Sequence, residues 1–414
     1  MSRAMFKALL VIGDGMGDRP AAELGNRTPL EAAHTPTMDR LAQEGECGLM
    51  DPIAPGIRAG SDTAHLALLG YDPYKVYTGR GPFEALGIGM EVRGGDIALR
   101  CNFSTVDEDW RVVDRRAGRI TQGTDQLAAV LNGIEIEGVQ CFFKESVAHR
   151  GALVLRGEGL SPYITDVDPH AEGEPVAECR PLDPNDAVAA RTARIVNAFV
   201  RLSYERLKEH PINRERVAQG LLPANIVLPR GAGVAPHLEP FPQRHGVRAV
   251  AVVETGLIRG IARFVGMDTL DAPGATGGVD SDLMSIGRTL VQALQQYDFV
   301  LCNVKAPDIC GHDGNPLQKV EVIERMDAML RLVLEMAGRN FYLALTADHS
   351  TPCSVRDHSG DPVPLLIWGP DLRSDEVQAF HERACARGGL GRLRGCDLMP
   401  ILTQLMGVQE KFGA

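Results

Sequence analysis

The sequence predicts an α/β protein in which a mostly parallel sheet, covered by helices, carries a smaller inserted α+β domain. Short and almost continuously apolar segments occur near both ends of the chain, as expected of strands that are buried on both faces. An amphipathic segment with helical spacing separates two of them, which gives a strand–helix–strand unit. The middle of the chain lacks this pattern, and 414 residues exceed the length of one typical domain.

The apolar segments define the strands of the predicted sheet. In chain order they are 6–12, 247–254, 298–304, 341–347 and 363–368. The segment 316–338 is predicted to be a helix, because a proline opens it, a glycine closes it and apolar residues recur every three or four positions.

The predicted inserted domain has shorter segments of alternating polarity at 111–120 and 141–157. A long amphipathic helix is predicted within 184–210. The stretch 228–246 is rich in Pro and Gly and is interpreted as a hinge. The predicted domain bounds are a core in two parts and one insertion: 1–77, 247–414 and 78–246.

Composition excludes several classes of protein. A net charge of −11 argues against a nucleic-acid partner, because that affinity depends on clustered Lys and Arg. No apolar run approaches the about 18 residues of a membrane span, and the first apolar run ends in GDG rather than in a cleavage site. Nine scattered cysteines without a CxxC pair predict free thiols in a reducing cytoplasm. The expected partner is a small molecule, and homo-oligomer formation stays open.

The stretch GSDTAHLALLGYDP places Ser61 where a helix is predicted to begin. The side chain of Ser61 suits an N-cap, which accepts hydrogen bonds from the first helical turn. The same position also suits a nucleophile, because the positive end of a helix stabilises an alkoxide and a phosphate. Asp62 and His65 either orient the serine or are ordinary helix residues.

Four motifs place Asp and His residues next to the ends of predicted strands, where open α/β sheets gather their sites. They are VIGDGMGD with Asp14, NVKAPDICGHDG with Asp308 and His312, LTADHSTPC with Asp348 and His349, and RDHSGDPVP with Asp357 and His358. The glycines of the first motif do not form a dinucleotide fingerprint, because GxGxxG would require glycine at the position of Asp18.

Mixed carboxylate and imidazole ligands suit Mn²⁺, Zn²⁺ and related ions, and this set is large enough for two of them. Two metal ions beside a serine would neutralise phosphate oxygens and lower the pKa of the hydroxyl. The sequence therefore predicts metal-assisted phosphoryl transfer with Ser61 as the nucleophile.

Longer motifs extend this interpretation to a family. VIGDGMGDRP, GSDTAHLALLGYDP, YTGRGPFEALGIGM, RCNFSTVDED, DRRAGRI, PGATGGVDSD, NVKAPDICGHDG and TADHSTPCSVRDHSGDPVP occur in this order along most of the chain. They resemble the shorter, archaeal type of cofactor-independent phosphoglycerate mutases, which belong to the alkaline phosphatase superfamily. The resemblance implies an alkaline phosphatase-like core and interconversion of 3-phosphoglycerate and 2-phosphoglycerate, through phosphorylated Ser61 and without 2,3-bisphosphoglycerate.

The resemblance also implies the ligands of two divalent ions, usually Mn²⁺, with Mg²⁺, Co²⁺ or Zn²⁺ as substitutes. The first ion would be held by four residues: Asp14, Ser61, Asp348 and His349. The second would be held by three: Asp308, His312 and His358.

The inserted domain supplies cations that suit the carboxylate and phosphate of such a substrate. The candidate substrate-binding residues are Arg115, Arg116, Arg119, Arg150, Arg156 and Arg230. Asp114 or His149 is expected to move a proton between the hydroxyls of the substrate. A metal-dependent phosphatase or phosphotransferase acting on another small phosphorylated metabolite stays open as an alternative, because the sequence does not show whether water is excluded.

Overall fold

The strands of the computed structural model, which describes residues 6–409, 411 and 413, are mostly short apolar segments. In chain order they are β1 (Lys7–Gly13), β2 (Glu46–Asp51), β3 (Ile97–Val106), β4 (Val112–Asp114), β5 (Ile134–Ile136), β6 (Val139–Glu145), β7 (Arg150–Arg156), β8 (Ile226–Val234), β9 (Ala249–Val253), β10 (Asp268–Leu270), β11 (Phe299–Val304), β12 (Phe341–Thr346), β13 (Val363–Trp368) and β14 (Gly391–Arg394). The five strands predicted from apolar segments are confirmed as β1, β9, β11, β12 and β13.

The α-helices occupy much of the chain between these strands. They are α1 (Pro29–Ala32), α2 (Pro36–Glu44), α3 (Ser61–Leu68), α4 (Pro73–Val76), α5 (Arg80–Gly87), α6 (Thr124–Ala129), α7 (Ala187–Leu207), α8 (Pro211–Ala218), α9 (Phe241–His245), α10 (Gly256–Phe264), α11 (Leu283–Gln296), α12 (Ala306–Asp313), α13 (Pro316–Ala337), α14 (Glu382–Cys385) and α15 (Leu398–Met406). Short 3₁₀ segments cover Ala22–Leu24, Ala117–Arg119 and Gly395–Asp397. The predicted helices at 184–210 and 316–338 are confirmed as α7 and α13.

The chain forms two units. The core unit comprises the residues up to Val76 and from Glu239 onward, and the insert unit comprises Tyr77–Leu238. The eight strands of the core unit form one sheet in the order β10-β9-β11-β1-β12-β13-β2-β14. All neighbouring pairs in it are parallel except the two that involve β13, so the prediction of a mostly parallel sheet is confirmed.

The strand order of the core sheet brings the predicted site residues to one edge. β1 lies between β11 and β12 and is parallel to both. Its last residue, Gly13, is in register with Val304, the last residue of β11. The segments that follow these three strands therefore leave the sheet side by side at its carboxyl edge.

The insert unit contains a second, antiparallel sheet in the order β4-β3-β7-β6-β5. β8 pairs with β3 on the side opposite β7. Its hydrophobic core includes Phe103 of β3, Phe143 of β6 and Phe199 of α7, and the rings of Phe103 and Phe143 meet edge to face at 5.6 Å. The amphipathic helix α7 thus supplies the apolar cover that one face of an antiparallel sheet needs.

The Pro- and Gly-rich stretch 228–246, predicted to be a hinge, contains the boundary between the two units, which falls between Leu238 and Glu239. Its residues 228–234 belong to β8, which pairs with β3 over Ile226–Val234. The remainder includes α9, where Phe241 is fully buried and its ring lies 4.9 Å from that of Phe299 on β11. A stretch rich in Pro and Gly is often a linker, but both residues also occur in edge strands and at helix starts, so the composition did not exclude this regular structure.

Two expectations from composition can be compared with the structure. All nine cysteines lie within the described residues as free thiols, and eight of them are buried. None of the helices in the described part of the chain combines the length and apolar character needed to cross a bilayer.

Candidate active site

Ser61 is the first residue of α3, and Gly60 occupies the N-cap position. The Ser61 side chain therefore does not cap the helix, which corrects that alternative. Its Oγ lies 3.1 Å from Nε2 of His349, and Thr63 Oγ1 accepts from the Gly60 backbone N–H instead. The serine hydroxyl is thus directed at the residues that follow β12.

Two carboxylates lie beside this hydroxyl, both completely buried. Asp14 follows β1, and its Oδ1 is 3.6 Å from His349 Nε2. Asp348 follows β12, and its Oδ1 accepts from the Gly15 backbone N–H at 3.0 Å. Asp348 Oδ2 has no hydrogen-bond partner among the described residues and lies 3.3 Å from His349 Nε2.

Hydrogen bonds assign the protonation of His349. Thr351 Oγ1 lies 2.6 Å from Asp308 Oδ1, so its single hydroxyl proton is donated to that carboxylate. The same oxygen lies 3.0 Å from His349 Nδ1 and accepts the ring N–H. His349 Nε2 is therefore unprotonated and carries a lone pair toward Ser61 Oγ.

The other two histidines show the same arrangement. His358 Nδ1 donates to the carbonyl oxygen of Ala59 at 2.7 Å, and its Nε2 lies 3.6 Å from Asp308 Oδ1. His312 Nδ1 lies 3.0 Å from the carbonyl oxygen of Arg356, and its Nε2 is 3.5 Å from Asp308 Oδ2. A ring N–H held by a carbonyl leaves the second nitrogen free as a ligand, which is the usual state of metal-binding histidines.

These donors form two groups that could each hold a cation. In each group the ligand atoms lie within 4.8 Å of one another, and His349 belongs to both. The groups are Asp14, Asp348 and His349, and Asp308, His349 and His358. His312 lies outside them by this distance, although its Nε2 faces Asp308. The orphaned oxygen of Asp348 and the unprotonated nitrogens fit a metal ion.

Sequence reasoning missed two residues of this site. Lys305 Nζ donates to Asp14 Oδ1 at 2.8 Å and to Asp308 Oδ2 at 2.7 Å, and so links one carboxylate of each group. Asn303 is fully buried, and its Nδ2 donates to Asp14 Oδ2 at 3.1 Å and lies 3.2 Å from His65 Nε2. The signal was present, since a polar Asn at the end of an apolar strand and a Lys directly after it are unusual for a buried edge.

His65 acts on the serine through the backbone. Its Nδ1 donates to the carbonyl oxygen of Ser61 at 2.7 Å, while its Nε2 accepts from Asn303. Asp62 accepts from the Thr63 backbone N–H at 2.9 Å. His65 therefore links the backbone of Ser61 to the buried amide of Asn303.

The pKa values describe a crowded negative centre. Burial raises the pKa of Asp348 to about 7, and the charge of Asp14 adds to the rise. Burial lowers the pKa of His349 to about 4, so its ring is neutral at pH 7. Burial favours a higher pKa for Asp308, but the charge of Lys305, the nearby His349 and the hydrogen bonds from Lys305 and Thr351 together hold the Asp308 pKa below its usual value. One lysine faces three carboxylates, and a divalent cation would relieve the remaining repulsion.

The insert unit gathers arginines on one face of its sheet. Arg100 of β3 is in register with Arg230 of β8, and Arg150 of β7 is in register with Asn102, two residues along β3 from Arg100. Residues two apart in a strand share a face, so the three guanidinium groups lie together. Glu84 pairs with Arg100 at 3.1 Å. The three guanidinium groups outnumber the two carboxylates beside them, Glu84 at Arg100 and Asp168 at Arg230, and so favour an anion. Arg100 is a further residue that sequence reasoning missed.

His149 borders this arginine cluster. Burial lowers its pKa, and the positive charges of Arg150 and Arg116 add to the effect, whereas Asp114 opposes it. Its Nδ1 is buried and has no hydrogen-bond partner among the described residues. The Asp114 carboxylate accepts from the Arg116 backbone N–H at 2.6 Å. His149 is thus a neutral ring beside cations.

The structure does not bring all the predicted arginines together. Arg156 lies at the opposite end of β7 from Arg150, about 20 Å away at the rise of an extended strand. It forms a two-pronged ion pair with Asp96 and stands over the Phe142 ring at 4.9 Å. The structure therefore places Arg156 apart from Arg150 and the arginine cluster. Arg119 is exposed and has φ +55.

Comparisons with known proteins identify the family. A family model described as 2,3-bisphosphoglycerate-independent phosphoglycerate mutase matches residues 42–213. A protein of that name from Methanosphaera stadtmanae is 55% identical over 412 residues, covering 99% of this chain and 100% of the relative. Another from Methanothermobacter thermautotrophicus, named 2,3-bisphosphoglycerate-independent phosphoglycerate mutase 1, is 53% identical over 413 residues, covering 99% and 100%.

A solved structure agrees with the sequence relatives. The cofactor-independent phosphoglycerate mutase from Thermoplasma acidophilum is 38% identical, covers 97% of this chain and 100% of its own, and superposes with a TM-score of 0.82. The resemblance inferred from the motifs is therefore confirmed over the whole length of the chain. The chain belongs to the family of 2,3-bisphosphoglycerate-independent phosphoglycerate mutases.

Proposed function

We propose that this protein interconverts 3-phosphoglycerate and 2-phosphoglycerate without 2,3-bisphosphoglycerate, through a phosphoserine at Ser61. The observation that carries the proposal is the contact of Ser61 Oγ with the unprotonated Nε2 of His349, beside the buried carboxylates of Asp14 and Asp348. A hydroxyl that lies at the start of a helix, next to an unprotonated ring nitrogen and two carboxylates, is well placed to attack phosphorus.

Two transfers at Ser61 complete the reaction. In the first, Ser61 Oγ loses its proton and bonds to phosphorus, the bond from phosphorus to the 3-oxygen of glycerate breaks, and that oxygen takes up a proton. After glycerate reorients, its 2-hydroxyl gives up a proton and bonds to phosphorus, while the bond to Ser61 Oγ breaks and Oγ takes up a proton again. The proton balance is zero, and nothing is oxidised or reduced.

We propose that two divalent ions, Mn²⁺ first among them, are held in the core unit. Asp14, Asp348, His349 and Ser61 would hold one, and Asp308, His312 and His358 the other. Bound there, the ions would lower the pKa of the Ser61 hydroxyl and neutralise phosphate oxygens. Lys305 supports the same task, because its ammonium already neutralises part of the charge of Asp14 and Asp308.

The insert unit is proposed to bind the anionic groups of the substrate. Arg100, Arg150 and Arg230 share one face of its sheet, and guanidinium groups pair well with carboxylate and phosphate. Asp114 and His149, at the border of the cluster, are proposed to carry the proton between the two hydroxyls of glycerate. Arg115 and Arg116 follow β4 directly and extend the same positive region.

A phosphorus NMR time course tests the proposal. Purified protein is incubated with 3-phosphoglycerate and Mn²⁺, without 2,3-bisphosphoglycerate, and aliquots are quenched and freed of metal before recording. We expect 2-phosphoglycerate to grow to a constant ratio with 3-phosphoglycerate. Release of inorganic phosphate instead would reassign the protein as a phosphatase, and an unchanged spectrum would refute the substrate.

The setting of the reaction is also part of the proposal. A glycolytic reaction of this kind and free cysteine thiols support a cytoplasmic location. The bound metal is tested by elemental analysis of protein purified without added ions, for which we expect up to two divalent ions per chain.

A further inference from the structure

The loop between β7 and α7 contains a buried carboxylate that contacts two arginines of the insert unit. Asp168 is 1% exposed, and its two oxygens accept from Nε and Nη2 of Arg115 at 2.8 and 2.7 Å. Its Oδ2 also lies 3.7 Å from Nε of Arg230. Arg115 follows β4 and Arg230 belongs to β8, so one carboxylate joins two separate elements.

The loop that holds Asp168 is itself fixed. The His170 backbone N–H donates to Asp168 Oδ1 at 3.0 Å. Asp166 Oδ1 accepts from the Gly231 backbone N–H at 2.7 Å, directly beside Arg230, and Asp166 Oδ2 lies 3.0 Å from His170 Nε2. The position of Asp168 relative to β8 is thus set by several hydrogen bonds rather than by one ion pair.

Part of each guanidinium group stays available. In the described part of the chain, neither Nη1 of Arg115 nor either Nη of Arg230 donates a hydrogen bond. Planar guanidinium groups recognise anions best when their orientation is fixed in advance. Arg230 is also in register with Arg100, so its orientation affects the whole arginine cluster.

We propose that Asp168 is a positioning residue, which holds Arg115 and Arg230 at a fixed spacing for an anionic group of the substrate. This inference rests on the proposed function, because the ligand is phosphoglycerate. Asp168 itself is not proposed to contact the substrate. Its effect passes through the two arginines. Because Asp168 already orders their side chains, less conformational entropy is lost when the substrate binds.

The chain offers a matched control. Asp96 forms the same kind of pair with Arg156, with Nη2 to Oδ2 at 2.7 Å, and the side-chain exposures of 21% and 4% match the 22% and 0% of the Arg115–Asp168 pair. Arg156 lies at the far end of β7 from the cluster. D96N therefore removes an equivalent ion pair from the same unit without touching the arginines that Asp168 holds.

The experiment compares wild type, D168N and D96N in mutase turnover. It also measures 3-phosphoglycerate binding by calorimetry in an S61A background, where turnover is blocked. We expect D168N to raise KM and weaken binding about tenfold or more, with kcat changed less than threefold, and D96N to stay within twofold of wild type. Because D168N could lose stability, D168E is measured as well, and we expect an intermediate KM since it keeps the charge but displaces it.

The outcomes separate the two proposals. Equal KM and binding for D168N and D96N in an active wild-type background would overturn the role of Asp168 alone. The same holds if D168N and D168E fold and lose kcat with KM unchanged. A wild-type protein that neither turns over nor binds 3-phosphoglycerate would overturn the proposed function and this inference with it.

Discussion

Replacing Lys319 by methionine would remove a completely buried ammonium group from the core unit. Lys319 lies on α13, and its Nζ donates to the carbonyl oxygens of Gly15 at 2.8 Å, Thr351 at 3.0 Å and Gly17 at 3.3 Å, and to Asp18 Oδ2 at 2.8 Å. These acceptors belong to the segments that follow β1 and β12. The lysine therefore ties together the two segments that carry Asp14, Asp348 and His349, three of the four proposed ligands of the first metal ion.

The structure sets the size of the effect. Methionine keeps an unbranched side chain but leaves the Asp18 carboxylate buried without its counter-ion and the three carbonyls without this donor. Removing one partner of a buried ion pair costs about 3–5 kcal/mol, which is a large part of the about 5–15 kcal/mol that stabilises a typical domain. D18N in addition to K319M should recover about 1 kcal/mol or more, because the uncompensated charge is then gone.

The assay uses the two tryptophans, of which Trp110 belongs to the insert unit and Trp368 to the core unit. In a W110F background, urea unfolding followed by fluorescence reports the core unit. In a W368F background it reports the insert unit. We expect K319M to lower the free energy of unfolding by about 3–5 kcal/mol in the W110F background and by less than about 1 kcal/mol in the W368F background. A loss below about 1 kcal/mol in the first, or an equal loss in both, would refute this reasoning.

Three further predictions concern the site and its surroundings. S61A should lower kcat by about 10³-fold or more. The control is S354A, because Ser354 is an exposed serine in the same segment as His358 and its loss should leave kcat unchanged. Comparable turnover of the two variants would contradict the role of Ser61 as the nucleophile. Chelation of divalent ions should abolish turnover, and added Mn²⁺ should restore it. Calorimetry should show that D348N binds Mn²⁺ at least about tenfold more weakly than wild type. Burial raises the pKa of Glu382 from 4.5 to about 7, so the folded state binds the proton more tightly than the unfolded state does. The free energy of unfolding of wild type should therefore fall by up to about 3 kcal/mol as pH rises from about 4.5 to 7. E382Q should lack this fall, and parallel stability curves would contradict it.

The parts of the fold that could be predicted were those governed by local pattern. Apolar runs predicted five core strands, because strands covered on both faces admit few polar residues. The acidic residues at the ends of β1, β11 and β12 were predicted to meet, since parallel strands end at one edge, and Asp14, Asp308 and Asp348 do lie together.

The rest depended on contacts between residues distant in sequence. Asp168 and Arg115 are 53 positions apart, and no local pattern connects a loop carboxylate to that arginine. The two buried carboxylates that hold Lys305 lie 291 and 3 positions from it, so only the fold brings all three together. The separation of Arg156 from Arg150 follows from local pattern, since they are the last and first residues of one seven-residue strand.

The most direct test of the central claim, phosphoryl transfer to the substrate rather than to water, is turnover of 3-phosphoglycerate in H₂¹⁸O. The products are then analysed for ¹⁸O by phosphorus NMR and mass spectrometry. We expect 2-phosphoglycerate whose phosphate contains no ¹⁸O, with no inorganic phosphate above the background of an S61A sample. Inorganic phosphate carrying ¹⁸O, formed at the rate of substrate loss, would contradict it.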